Sequence, residues 1–136
     1  LVKLDSNGTS PVMLEYLLEN KLVDFIAMDI KASVDKYSCV TERYVDTQVI
    51  EKSIDLIMSS GIDYEFRTTV VRGQLDFDDF EQIGKMIKGA KRYAAQKFVP
   101  TKTNNPEFMN KSSYSDDDMQ KIKLIMSNYV DVCVVH

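Results

Sequence analysis

Two spacings of apolar residues alternate along this chain. Short runs in which every second residue is apolar predict half-buried strands, and longer stretches with apolar residues three and four apart predict amphipathic helices. The first strand is predicted at Val2 to Asp5, then a turn and a helix from Pro11 to Asn20. Ser10 stands as its N-cap, Pro11 at its first position and Met13, Leu14, Leu17 and Leu18 as its apolar stripe. A second strand is predicted from Val23 to Ile30, and the polar stretch Ala32 to Tyr44 has room for a short helix. A helix from Asp46 to Ser60, with Val49, Ile50, Ile54, Ile57 and Met58 on one side, is closed by Gly61. The third strand is predicted at Tyr64 to Val71. It leads to a helix from Phe77 to Lys88, capped by Asp76, closed by Gly89 and striped by Phe80, Ile83 and Ile87. The fourth strand spans Arg92 to Val99, and Pro100 to Tyr114 reads as a polar loop. A last helix starts at Ser115, whose spacing to Asp118 is that of a capping box, with Asp116, Asp117 and Asp118 at its positive end. Met119, Ile122, Ile125 and Met126 form its buried side, and Val130 to Val135 is a fifth strand.

Strands alternating with helices predict an α/β fold with a parallel sheet and right-handed crossovers. An open doubly wound sheet and a barrel both satisfy that pattern. Polar residues recur at the C-terminal ends of successive strands, which favours a barrel, where such ends converge on one site. Five strands cannot close an eight-stranded barrel, so the expected object is an arc. Leu1 opens the chain inside a strand, which is read as truncation. The expectation is one domain over residues 1–136, a partial (β/α) barrel of parallel strands truncated at the N-terminus.

Composition narrows the function classes. With 136 residues and 44% hydrophobic content, the chain can bury a core without staples. A net charge of -4 argues against extended nucleic-acid binding. There is no apolar run near the roughly 20 residues of a membrane span, and no secretory signal pattern, so the expected location is the cytoplasm. Cys39 and Cys133 have no paired spacing and read as reduced, buried or half-buried thiols. With His136 they are too few soft ligands for a zinc or iron–sulfur site.

The candidate chemistry lies at the strand ends. Asp29 and Lys31 are two apart at the end of an apolar strand and share a face. Burying such charges costs several kcal/mol per ion, on the order given by desolvation, so they invite a functional reading. Asp5, Ser6, Asn7 and Gly8 follow the first strand, and Arg67 and Thr69 lie along the third. Plainer readings stand beside these. Asp29 with Lys31 suits an ordinary ion pair, Arg67 suits pairing with Glu65 or Asp29, and Asp5 to Gly8 suits a simple turn. The seven methionines read mostly as core filler, Lys85, Lys88, Lys91 and Arg92 as a solvated helix end, and His136 as inert.

The ordered set Leu4-Asp5-Ser6-Asn7-Gly8-Thr9, Met28-Asp29-Ile30-Lys31 and Phe66-Arg67-Thr68-Thr69-Val70-Val71-x-Gly73 resembles the strand-end motifs of radical S-adenosylmethionine activating enzymes. The likeness is to the activating proteins of anaerobic ribonucleoside-triphosphate reductase and pyruvate formate-lyase, in their C-terminal part. It continues through Ala90 to Tyr93, Phe98-x-Pro100-Thr101-Lys102-Thr103 and Tyr114-Ser115.

The resemblance implies an S-adenosylmethionine site at Asp29 and Lys31, with Arg67 directed to the methionyl carboxylate. Asp5, Ser6 and Asn7 become cofactor contacts, and Asp5 and Asp29 a possible cation contact. It implies a 4Fe–4S cluster whose Cys-x3-Cys-x2-Cys loop is missing from this chain, together with the glycine-rich strand beside it. Arg72 stands where relatives usually have proline, and Val99 where they often carry a polar residue. The implied activity is reductive cleavage of S-adenosylmethionine and hydrogen abstraction from a glycine of a glycyl radical enzyme, such as anaerobic ribonucleotide reductase or pyruvate formate-lyase. Flavodoxin or ferredoxin would be the electron donor. This chain alone is expected to be inactive. A radical enzyme acting on a small molecule or peptide, a non-catalytic half-barrel binding module and an unrelated phosphate-binding barrel are the alternative readings.

Overall fold

A computed structural model describes residues 1–71, 73–98 and 114–136. Arg72, Val99 and the Pro100 to Thr103 motif lie outside the described residues. Five strands, β1 (Lys3–Ser6), β2 (Phe25–Asp29), β3 (Asp63–Val70), β4 (Arg92–Lys97) and β5 (Val132–Val135), form one sheet in the order β1-β2-β3-β4-β5. Every neighbouring pair is parallel. Strand order therefore follows chain order, with no reversal where a doubly wound sheet would have its switch point. This is the winding of a barrel arc, as the strand-end chemistry predicts.

Helices α1 (Pro11–Glu19), α2 (Tyr37–Thr41), α3 (Thr47–Met58), α4 (Phe77–Met86) and α5 (Asp116–Met126) connect the strands, with a 3-10 turn at Val34–Lys36 before α2. Alternate strand residues Ile26, Met28, Tyr64, Phe66, Val70, Tyr93 and Ala95 join Leu14, Ile50, Ile54, Ile57, Phe80, Ile83, Met119, Ile122 and Met126 in one core. One face of the sheet thus carries the helices. The other face presents Lys3, Asp5, Asp29, Glu65, Arg67, Thr69, Arg92 and Gln96, by the two-residue alternation of the same strands.

Local chemistry explains most helix ends. Asp76 and Asp79 form a reciprocal capping box on α4, and Ser115 and Asp118 form one on α5. Asp46 caps α3 through the Gln48 N–H. The expectation for Ser10 is corrected: its side chain makes no capping bond, and Pro11 alone marks the start of α1. The predicted stripe of α1 also shifts. Leu14 is buried, but Met13 is 55% exposed. Both cysteines are free; Cys133 is buried and Cys39 exposed, against the expectation that both would be at least half-buried. Burial pushes the Cys133 thiol up to about 11.

Arg92 opens β4, as the strand spacing predicts. Its grouping with Lys85, Lys88 and Lys91 as a solvated helix end is corrected: its Nε donates to Glu65 Oε2 at 2.6 Å across the open face.

Candidate functional site

The ends of β1, β2 and β3 bring together Asp5, Asp29, Lys31 and Arg67. Register sets the central contact: Asp29 and Arg67 are Cα partners on neighbouring strands. Arg67 Nε donates to Asp29 Oδ1 at 2.8 Å, and its Nη2 lies 3.3 Å from Asp5 Oδ1. Lys31 Nζ reaches the other Asp29 oxygen, Oδ2, at 3.5 Å. Asp29 therefore bridges a guanidinium and an ammonium, while Arg67 bridges two carboxylates. The quartet is neutral in sum, with each sign shared between two strand ends.

Exposure grades these contacts. The Arg67 side chain is 21% exposed and Asp29 34%, whereas Lys31 and Asp5 are 47% and 66% exposed. The Arg67–Asp29 pair is the rigid centre, and Lys31 and Asp5 are its wet flanks. The hydrogen bond to Asp29 holds the Arg67 guanidinium above its ordinary range, more than burial lowers it. On the side away from Asp29, the register partner of Arg67 is Ala94, whose methyl leaves that flank sterically small.

Ser6 and Asn7 build the turn beside this quartet. Ser6 Oγ accepts from the Gly8 N–H at 3.0 Å, and Asn7 Oδ1 accepts from the N–H and hydroxyl of Thr9. Gly8 is required there. Its φ is +74°, and a Cβ would fall 2.0 Å from Met28 Cε. The Gly8 carbonyl accepts from the buried Ser53 hydroxyl at 2.7 Å, which fastens the turn to α3.

Among the described residues, no three or more His, Cys, Asp or Glu side chains are placed to hold a metal ion. The positive charge between Asp5 and Asp29, where a cation contact was expected, is the Arg67 guanidinium. Glu65, the alternative partner for Arg67, is engaged by Arg92.

Several residues around the site went unpredicted. Thr68 donates to the Ile30 carbonyl at 2.7 Å, and Tyr37 Oη accepts from the Lys31 N–H at 3.1 Å. Thr68 had a legible signal: it is the polar member of the apolar row Tyr64, Phe66, Thr68, Val70, so it had to find a buried partner. Tyr37 had none, since it lies in the stretch without periodicity.

Past the quartet, Thr69, Gln96, Lys97, Phe98 and His136 line an open depression of about 420 Å³ at the ends of β3 to β5.

No protein-family model matches the chain. A curated protein of Methanocaldococcus jannaschii, carrying the provisional name glycyl-radical enzyme activating enzyme, is 34% identical over 138 residues, covering 98% of this chain and 58% of that protein. A domain of pyruvate-formate lyase-activating enzyme from Bacteroides vulgatus matches with a TM-score of 0.71 at 14% identity, covering 98% of this chain and 80% of that one. A radical SAM methyltransferase from Sphaerobacter thermophilus matches with a TM-score of 0.77 at 14% identity, covering 98% and 39%. The chain is thus a relative of a protein named as a glycyl-radical enzyme activating enzyme. The two structural likenesses carry the fold: the five parallel strands match part of the α/β architecture of each of those proteins. The chain spans a little over half the length of the curated relative, 58%. No helix among the described residues is long and apolar enough to cross a membrane.

Proposed function

We propose that this chain is the cofactor-orienting part of a glycyl-radical-enzyme activase, with the quartet Asp5, Asp29, Lys31 and Arg67 as its S-adenosylmethionine contact. One observation carries the reading: a guanidinium, an ammonium and two carboxylates meet at the ends of three adjacent parallel strands. This is a donor set for a ligand that itself carries a carboxylate, an ammonium and a ribose. Arg67 can take a carboxylate through two parallel N–H bonds once Asp5, its more distant and more exposed partner, gives way. Lys31 adds a second positive charge on the same side. Asp29 stays on Arg67 Nε and fixes the guanidinium plane, leaving its second oxygen for an ammonium or ribose hydroxyl. Ser6 and Asn7, at the turn, would contact the ligand only through atoms not already spent on Gly8 and Thr9.

Bound S-adenosylmethionine, given one electron by a reduced 4Fe–4S cluster, would release methionine and supply a 5′-deoxyadenosyl radical for hydrogen abstraction from a partner's glycine. The chain has only two cysteines, one exposed and one buried, so its residues do not fit a 4Fe–4S cluster. The role assigned here is therefore binding, orientation and charge balance, and the chain alone does not turn over. The name of the 34% identical relative, a glycyl-radical enzyme activating enzyme, supports a partner enzyme's glycine as the hydrogen donor.

The test has two parts. S-adenosylmethionine is titrated calorimetrically into the wild-type chain and Arg67→Ala; binding lost in the variant is expected, and equal binding by both refutes the assignment. Under anaerobic reducing conditions the chain alone should release no 5′-deoxyadenosine, and steady release would sink the orienting role.

A further inference from the structure

Asp29 is the last residue of β2, so Ile30 and the charged Lys31 lie beyond the strand itself. Something other than the ladder must fix Lys31. Ile30 N–H donates to the Arg67 carbonyl at 2.8 Å, which extends pairing by one residue. Its carbonyl accepts from the Thr68 hydroxyl, on a side chain that is 2% exposed. The next backbone N–H, that of Lys31, is taken by the hydroxyl of Tyr37, which is equally buried at 2%. Five residues on from Lys31, Lys36 Nζ lies 2.6 Å from Asp79 Oδ2, and between them Ser33 Oγ donates to Asp79 Oδ1 at 3.0 Å. Asp79 is a buried carboxylate on α4 that also accepts from the Asp76 N–H. Segment 30–36 is thus held at its start by Thr68 on β3 and by Tyr37, and at Ser33 and Lys36 by Asp79 on α4.

We infer that Tyr37 and Thr68, backed by Asp79, form a buried clamp that sets the position of Asp29 and Lys31 at the mouth of the site. Tyr37 is the key member. Its hydroxyl meets the Lys31 backbone, while its ring is locked in the core. Burial raises the Tyr37 hydroxyl above its ordinary range, and the Asp29 carboxylate adds to that shift, which places the phenol in the field of the pair it positions. Removing this one oxygen costs the Lys31 N–H its partner without touching the ring's packing. Loosening the backbone at Lys31 moves Lys31 and Asp29 together, because they flank a single residue. The clamp deepens the cofactor reading above, and rests on it only for the identity of the ligand.

The experiment compares the wild-type chain with Tyr37→Phe, Thr68→Val and a control, Ile122→Val, in the core on α5. Two readouts need no ligand: hydrogen exchange of the Lys31 amide, and the ¹⁵N-resolved Arg67 Nε–H signal that reports its bond to Asp29. In Tyr37→Phe the Lys31 amide is expected to exchange roughly tenfold faster, with the Arg67 signal shifted or broadened. Ile122→Val should lose comparable thermal stability and change neither. S-adenosylmethionine titration then should show several-fold weaker binding in Tyr37→Phe alone of these two. Wild-type exchange and an unmoved Arg67 signal in both Tyr37→Phe and Thr68→Val would overturn the clamp. If the signals move but wild type binds no S-adenosylmethionine, the clamp stands and the cofactor reading falls. If wild type binds and Tyr37→Phe binds equally, the positioning role falls.

Discussion

The Arg67–Asp29 pair can be weighed by a double-mutant cycle. The perturbations are Asp29→Asn, which is isosteric, Arg67→Gln, which shortens the side chain, and both together, so that the packing change at Arg67 cancels around the cycle. Two unit charges about 4 Å apart interact by roughly 4 kcal/mol at an effective dielectric of about 20, an upper bound for a site on an open face. Fully exposed pairs yield about 0–1 kcal/mol. With Arg67 21% and Asp29 34% exposed, and a 2.8 Å bond between them, the site lies between those limits. A coupling of about 1–2 kcal/mol is expected. Urea unfolding of the four proteins at pH 7 gives the coupling directly, and repeating it in about 1 M salt should leave more than half of it, because the pair is partly shielded from screening. A parallel cycle on Lys31 and Asp29, at 3.5 Å with the lysine 47% exposed, should give about 0.5 kcal/mol or less and lose it in salt. A coupling under about 0.3 kcal/mol between Asp29 and Arg67 would refute the reasoning, since the register contact would then contribute no more than two independent surface charges.

Three further outcomes follow from other parts of the molecule. Gly84→Ala improves helix propensity by about 1 kcal/mol. Its new Cβ would fall 2.2 Å from the Tyr129 ring, so thermal unfolding should show net destabilisation of about 1 kcal/mol; a raised Tm would mean that Tyr129 moves aside freely. Asp79 is held below the usual carboxylate range: burial pushes it up, but hydrogen bonds from Lys36, the Asp76 N–H and Ser33 outweigh that. Its contribution is therefore complete above about pH 4 and lost as pH falls through its lower folded value, so the stability gap between wild type and Asp79→Asn should shrink steadily as pH falls below about 4. A gap that widens in acid would reverse the sign and contradict the hydrogen-bonded carboxylate. With a thiol reagent at pH 8, exposed Cys39 should label quickly, and Cys133, buried and raised to about 11, should label only on unfolding; equal rates for both would argue against the placement of β5 in the core.

Much of the architecture is local and was legible in the chain. The two-residue and three-to-four-residue spacings placed every described strand and the four longer helices to within a few residues, because each period reports which side of its own element is wet. The capping boxes at Asp76 and Ser115 were written as residue pairs three apart. That Asp29 and Lys31 would share a face, at the same end of the sheet as Asp5 and Arg67, also followed from alternation within parallel strands. Which charges would meet did not. Glu65 lies nearer to Arg67 in the chain than Asp29 does, and the same alternation puts it on the same face. It is taken instead by Arg92 on the opposite neighbour strand, which leaves Arg67 to Asp29 and Asp5. That choice depends on the register of β2, β3 and β4, a property of three segments packed together. The same holds for Tyr37, whose hydroxyl has a role only once segment 30–36 folds back over it, and for Gly84, whose missing side chain makes room for a ring forty-five residues away. Periodicity fixes what each segment must bury; only the packed sheet, by bringing distant segments within hydrogen-bonding reach, decides which polar groups become partners.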